Sequence, residues 1–195
     1  ATYGHLTGKP GVCLATLGPG ATNLTTGLGQ ANMDCSPVVG IIGQAGTYRL
    51  HKESHQNMDA VSMFKPLTKW TTTVMKPDNI PEIVRKAFRV ATSEKPGVTV
   101  IELPEDVAHG ESNLEPIRGK AEVEKTGIDP NRVAAALKLI AESKFPVMLV
   151  GLGCVRARAR TEVEAFADKS GIYGAETFMG KGAISIKNPH AIATV

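Results

Sequence analysis

Short apolar runs closed by glycine or proline alternate with segments of helical period along the first hundred residues. Residues 1–4 read as the tail of a helix, with Gly4 near its C-terminal cap. Residues 11–17 are apolar on both faces, which predicts a buried parallel strand ended by Gly18-Pro19-Gly20. Residues 21–33 predict a small-residue helix with Leu24, Leu28 and Ala31 on one side, stopped at Asp34-Cys35-Ser36-Pro37. Residues 38–42 predict a second buried strand, ended by Gly43-Gln44, and the polar stretch 45–57 predicts a loop at its end. Residues 69–74 predict a strand. Residues 80–92 predict a helix with Ile83, Val84, Ala87, Phe88 and Ala91 as its apolar stripe, and residues 98–103 a strand closed by Pro104. This alternation is the order of a doubly wound α/β sheet.

After Val107 the pattern changes. Residues 109–128 are polar and punctuated by glycine and proline, which marks a linker. Asp129-Pro130 then starts a helix, with Val133, Leu137 and Ile140 as its expected buried stripe. Residues 147–150 predict a buried strand, Gly151-Leu152-Gly153 a turn into one helix running to about Lys169, and residues 172–175 another strand. The expected organisation is a doubly wound parallel-sheet domain at 1–108, a linker at 109–128 and a second, Rossmann-like α/β domain at 129–195. The chain has no initiator methionine and stops on apolar residues, so the expectation is a piece of a longer polypeptide.

Composition narrows the function classes. Basic and acidic side chains number 22 and 19, for a net charge of +3 without a basic cluster, which argues against a nucleic-acid groove. No apolar run is long enough to cross a membrane. Three cysteines cannot close a disulfide framework, and Cys35 and Cys154 have no metal-ligating partner at short spacing, which points to a reducing, cytoplasmic setting without a metal site in this segment.

Two glycine motifs and one polar cluster carry candidate chemistry. Gly18-Pro19-Gly20 lets a flat ligand approach the backbone beside a helix N-terminus, or simply turns strand into helix. Gly151-Leu152-Gly153 lacks the third glycine of a dinucleotide fingerprint, because Arg156 stands there. Lys52, His51 and His55 beside Gln56 form the densest polar group, and no serine or cysteine nucleophile with a matching carboxylate accompanies it.

In order and spacing, several segments together resemble thiamine-diphosphate enzymes of the acetolactate synthase group. They are Gly18-Pro19-Gly20-Ala21-Thr22-Asn23, Pro37-Val38-Val39 with Gly43-Gln44, the run from Arg49 through His55-Gln56 to Asp59, Glu102-Leu103-Pro104-Glu105-Asp106-Val107 and Thr177-Phe178-Met179-Gly180-Lys181-Gly182-Ala183. The resemblance implies a fragment of a large, catalytic subunit: part of the pyrimidine-binding domain, then part of the middle domain. It implies condensation of two pyruvates to 2-acetolactate with loss of carbon dioxide. The alternatives are another 2-keto acid enzyme of the group (pyruvate oxidase, glyoxylate carboligase or a decarboxylase) or an inert truncated module. By the same resemblance Gln56 is the catalytic candidate. Gly18, Pro19, Gly20, Asn23 and Gln44 are the cofactor-binding candidates, and Lys52 and His55 support the pocket. Thiamine diphosphate and Mg2+ are the implied cofactors of the full-length parent. FAD is not favoured, because the 49–56 loop looks closer to the catabolic type. Self-association into a dimer or tetramer is also implied.

Overall fold

The structure is a computed structural model that describes residues 1–118 and 127–195; the central part of the expected linker, 119–126, lies outside the described residues. The chain divides into two compact units, Ala1–Glu124 and Lys125–Val195.

The first unit runs α1 (Thr2–Thr7), β1 (Gly11–Ala15), α2 (Pro19–Asn23), α3 (Thr25–Met33), β2 (Val38–Gln44), α4 (Ala60–Phe64), β3 (Trp70–Thr73), α5 (Ile80–Thr92), β4 (Val98–Pro104) and α6 (Glu105–His109). Its four strands pair in parallel in the order β1-β2-β4-β3. The two inner strands are held over seven residues, from Val38 opposite Val98 to Gln44 opposite Pro104.

A strand period of two divides β2 and β4 between two cores. Val38, Ile42, Val98 and Val100 pack with Ala21, Leu28 and Ala31 of α2–α3 and with Ala60 and Phe64 of α4. Val39 and Ile101 pack with Ala87 and Ala91 of α5 and with Val107 of α6. Helices therefore cover both faces of the inner strands, as parallel sheets require. The edge strand β1 departs from the expected two-sided burial: Val12 and Leu14 are 57% and 75% exposed, while Cys13 packs inward. Hydrophobic runs do not distinguish an edge strand from a central one.

Several helix boundaries also differ from the sequence reading. The cap of α1 is Gly8 in the left-handed region, whereas Gly4 is buried against the Pro37 carbonyl, so closely that a Cβ would strike it. The helix expected at 21–33 begins two residues earlier, with Pro19 in its first turn, and pinches at Leu24, where Thr22 and Thr25 hydroxyls donate back to the carbonyls of Pro19 and Thr22. It ends in a Schellman turn: Ser36 N–H donates to Ala31 O and Cys35 N–H to Asn32 O, with Cys35 at φ 52°. On α5, Ala87 and Ala91 are fully buried, but Val84 and Phe88 remain more than a third exposed.

The second unit runs α7 (Pro130–Glu142), β5 (Val147–Val150), α8 (Leu152–Arg156), α9 (Arg160–Ser170), β6 (Tyr173–Glu176) and β7 (Ala191–Thr194), with a parallel sheet ordered β5-β6-β7. Asp129 caps α7 by accepting from Asn131 N–H, as its position before Pro130 predicts. The expected buried stripe is not buried: Val133 and Leu137 are 44% and 51% exposed, and Val147 and Leu149 of β5 are also open. The single helix expected after Gly151 is broken at residues 157–159. Ala159 N–H donates to Cys154 O and Arg158 N–H to Val155 O, with Arg158 at φ 55°, a second Schellman turn in a sequence with no glycine to announce it.

Phe64 is fully buried between α4 and the sheet. Phe64→Ala is expected to cost about 3–5 kcal/mol, read as a lower midpoint in denaturant unfolding of the first unit.

Candidate functional site

The carboxyl ends of β1, β2 and β4 gather the chemistry of the first unit, the place where open parallel sheets bind ligands. A cleft of about 570 Å³ opens there. Its apolar floor includes Leu14, Ile41 and Leu103, and its polar lining includes Thr16, Gln44, Arg49, His55, Glu105 and His109.

The turn after β1 and the loop after β2 meet in direct contact. Gly18 has φ 54° and ψ −115°, and a Cβ on it would lie 2.7 Å from the Gln56 carbonyl oxygen and 2.8 Å from the Gln56 Cβ. Gln56 itself is left-handed, at φ 56°. Glycine is thus required at position 18 both by backbone angle and by space. Pro19, Asn23 and Gln56 are all exposed, with Asn23 one helical turn beyond Gly20.

The loop that presents Gln56 is fixed by polar contacts at its start, within it and at its end. At its start, Asp106 of α6 accepts from the Thr47 N–H and hydroxyl, and these bonds hold the Asp106 carboxyl below the usual carboxylate range. Within it, Asn57 Nδ2 donates to the carbonyls of Arg49 and Lys52. At its end, Asp59 caps α4 by accepting from Ser62 N–H.

Gln44 has a different setting from the exposed residues. It is 5% exposed at the end of β2; its Nε2 donates to Met58 O at 2.8 Å and Glu102 Oε1 at 2.9 Å, and its Oε1 accepts from Ala45 N–H at 2.9 Å. Glu102 on β4 is 4% exposed and accepts a second bond from Thr73 Oγ1 at 2.6 Å. Burial pushes the Glu102 carboxyl up, against the opposing pull of the bonds from Thr73 and Gln44.

The structure thus brings Gly18 and Gln56 together and places Gln44 and His55 on the cleft wall. Pro19, Gly20 and Asn23 follow on the turn and helix above β1, and Lys52 is exposed on the loop outside the cleft lining. Sequence reasoning passed over Glu102 as a site residue. The signal was an acidic residue inside the apolar run of residues 98–103, which a buried strand tolerates only with partners. In the second unit, Glu176 plays an analogous role at the end of β6: its Oε1 accepts from the N–H groups of Gly182 and Ile184 and folds the 177–184 segment back.

Two known sequence families match this chain. One, described as the thiamine pyrophosphate enzyme N-terminal TPP binding domain, matches residues 1–63; the other, the thiamine pyrophosphate enzyme central domain, matches residues 133–195. The chain belongs to the thiamine pyrophosphate enzyme family. It is 40% identical to a probable acetolactate synthase large subunit of Methanocaldococcus jannaschii, over 99% of this chain and 34% of that protein. It is 38% identical to an acetolactate synthase of Mycobacterium leprae, over 93% and 29%, and 37% identical to one of Bacillus subtilis, over 93% and 32%. The chain spans about a third of the length of these relatives.

Two outcomes follow from this geometry. Gly18→Ala forces a side chain into the Gln56 backbone at a positive φ and is expected to cost about 1–3 kcal/mol, measured as a lower melting temperature. Glu102 has a folded-state pKa above its unfolded one, so its folded state binds the extra proton. Its contribution therefore weakens stability as pH rises from the ordinary carboxyl range through the raised value, and the penalty persists above it. Glu102→Gln is expected to remove that dependence: the variant's melting temperature should gain on the parent's as pH rises, in melts run from mildly acidic to neutral pH.

Proposed function

We propose that this chain supplies the pyrimidine-binding and central domains of an acetolactate synthase large subunit, which joins two pyruvates into 2-acetolactate and releases carbon dioxide. The observation that carries this reading is the meeting of Gln56 with the Gly18 turn at the carboxyl end of the sheet, in a chain similar over nearly all its length to proteins named acetolactate synthase. Thiamine diphosphate, when bound, supplies the electron sink for decarboxylation and carbon–carbon bond formation.

The residues present suit the pyrimidine end of that cofactor. Gly18, Pro19 and Gly20 offer a flat edge without long side chains, flanked by the exposed amides of Asn23 and Gln56. Both amides donate and accept, as an aminopyrimidine requires. In this reading Gln56 hydrogen-bonds an oxygen of the reacting keto acid, while His55 and Lys52 add polar character to the approach. Gln44, engaged at both ends of its amide, shapes the wall from behind. Among the described residues no group of three or more His, Cys, Asp or Glu is placed to hold a metal ion. Mg2+ is, in this reading, a cofactor of the full-length protein. Domain limits at 1–108 and 129–195, self-association into a dimer or tetramer and a cytoplasmic setting complete the proposal; FAD has no assigned part in it.

The test is Gln56→Ala in the full-length protein. Loss of one polar contact to the reacting centre is expected to lower turnover about 10- to 1000-fold with thiamine-diphosphate affinity little changed. Steady-state kinetics with pyruvate, combined with cofactor titration, measures both, and normal turnover at saturating cofactor would remove Gln56 from the active site.

A further inference from the structure

Glu102 is a buried carboxyl whose two oxygens are occupied by uncharged donors, Gln44 Nε2 at 2.9 Å and Thr73 Oγ1 at 2.6 Å. Burying a carboxylate on neutral hydrogen bonds is costly, so the arrangement calls for a role beyond packing. The bonds on Gln44 supply one. A carboxylate only accepts, so it reinforces the orientation of the Gln44 amide that places Nε2 toward it. With Nε2 turned toward Glu102, its second hydrogen reaches the Met58 carbonyl at 2.8 Å and Oε1 receives Ala45 N–H at 2.9 Å. Turned over, the amide would set its oxygen against two acceptors and its N–H groups against a donor.

Met58 lies two residues after Gln56. Its carbonyl also accepts from Ala60 N–H, the first residue of α4. Pinning this carbonyl fixes where the left-handed Gln56 comes down on Gly18. We propose that Glu102 is a positioning residue for Gln56: through Gln44 it locks the Met58 carbonyl and so holds the Gln56 side of the loop against the Gly18 turn. The proposal rests on the reading that Gln56 faces the reacting group.

The experiment is a double-mutant cycle in the full-length protein, with Gln56→Ala, Glu102→Gln and their combination, alongside Thr73→Val. Glu102→Gln keeps the shape of the side chain but can offer either end of its amide to Gln44, which loosens its hold on Gln44 and leaves the Met58 carbonyl and Ala45 N–H to orient that amide. It is expected to lower turnover about 10- to 100-fold, the scale of a catalytic group misplaced by about an ångström, with little change in KM and with no loss of melting temperature at neutral pH. In the Gln56→Ala background it should lower turnover by no more than about twofold further, because both changes remove the same placed group. Thr73→Val removes the other bond to Glu102 and leaves the Gln44 link, so it should affect melting temperature more than turnover. If Glu102→Gln does not fold, Gln44→Met, which cuts the link at its middle, takes its place in the cycle with the same expected loss of turnover and the same dependence on Gln56, and with a lower melting temperature.

Normal turnover in Glu102→Gln, or a loss that multiplies independently of Gln56→Ala, overturns the proposal while leaving the role of Gln56 intact. Normal turnover in Gln56→Ala overturns that role and the positioning proposal with it. A loss of turnover in Thr73→Val as large as that in Glu102→Gln reduces Glu102 to a structural residue and also overturns it.

Discussion

The seven-residue parallel pairing of β2 with β4 is the constraint from which the first unit follows. It sets Val38, Ile42, Val98 and Val100 toward one layer of helices and Val39 and Ile101 toward the other, so that both cores grow from the same two strands. It also brings Gln44 and Glu102 to the same end and face of the sheet, close enough to hydrogen-bond at 2.9 Å. A slip of one residue would turn one strand's side chains to the opposite face, mixing the two cores and parting Gln44 from Glu102.

The loop from Thr47 to Met58 depends on that end of the sheet for its shape. It holds no regular strand and only one short turn of helix at Thr47–Arg49. It is fastened at its start by Asp106 and at its end, through Gln44, by Glu102. The two carboxyls occupy opposite electrostatic situations. Asp106 lies at the surface, and its bonds from Thr47 favour the charged form; Glu102 is buried, and loss of water disfavours it. Anchors of this kind let an irregular, solvent-facing segment hold two left-handed residues, His51 and Gln56, in defined places.

The second unit shows the same device at smaller scale. Glu176 at the end of β6 accepts two backbone N–H groups from the segment that follows, and Gly180 approaches the Val150 carbonyl so closely that no Cβ fits. In both units an acidic residue near a strand's carboxyl end helps to hold a connecting segment at that end of the sheet. These segments are the ones whose motifs resemble the family, which is physically sensible, because they are shaped by specific polar contacts rather than by general hydrophobicity.

The sequence by itself determined the alternation of strands and helices, the parallel α/β class, the capped start of α7 and the motifs by which the family is recognised. Those properties reside in local spacing: apolar runs, proline at first turns, glycine at Gly18. Tertiary structure alone showed that Val12 and Leu14 of β1, which read as core, are exposed in this chain while Cys13 packs inward. It decided that α8 and α9 are separate helices, since Arg158 adopts a left-handed turn its side chain does not advertise. It also revealed Glu102. The partners of a buried carboxyl come from strands 29 and 58 residues away in sequence, and only the fold brings such distant groups within hydrogen-bonding reach.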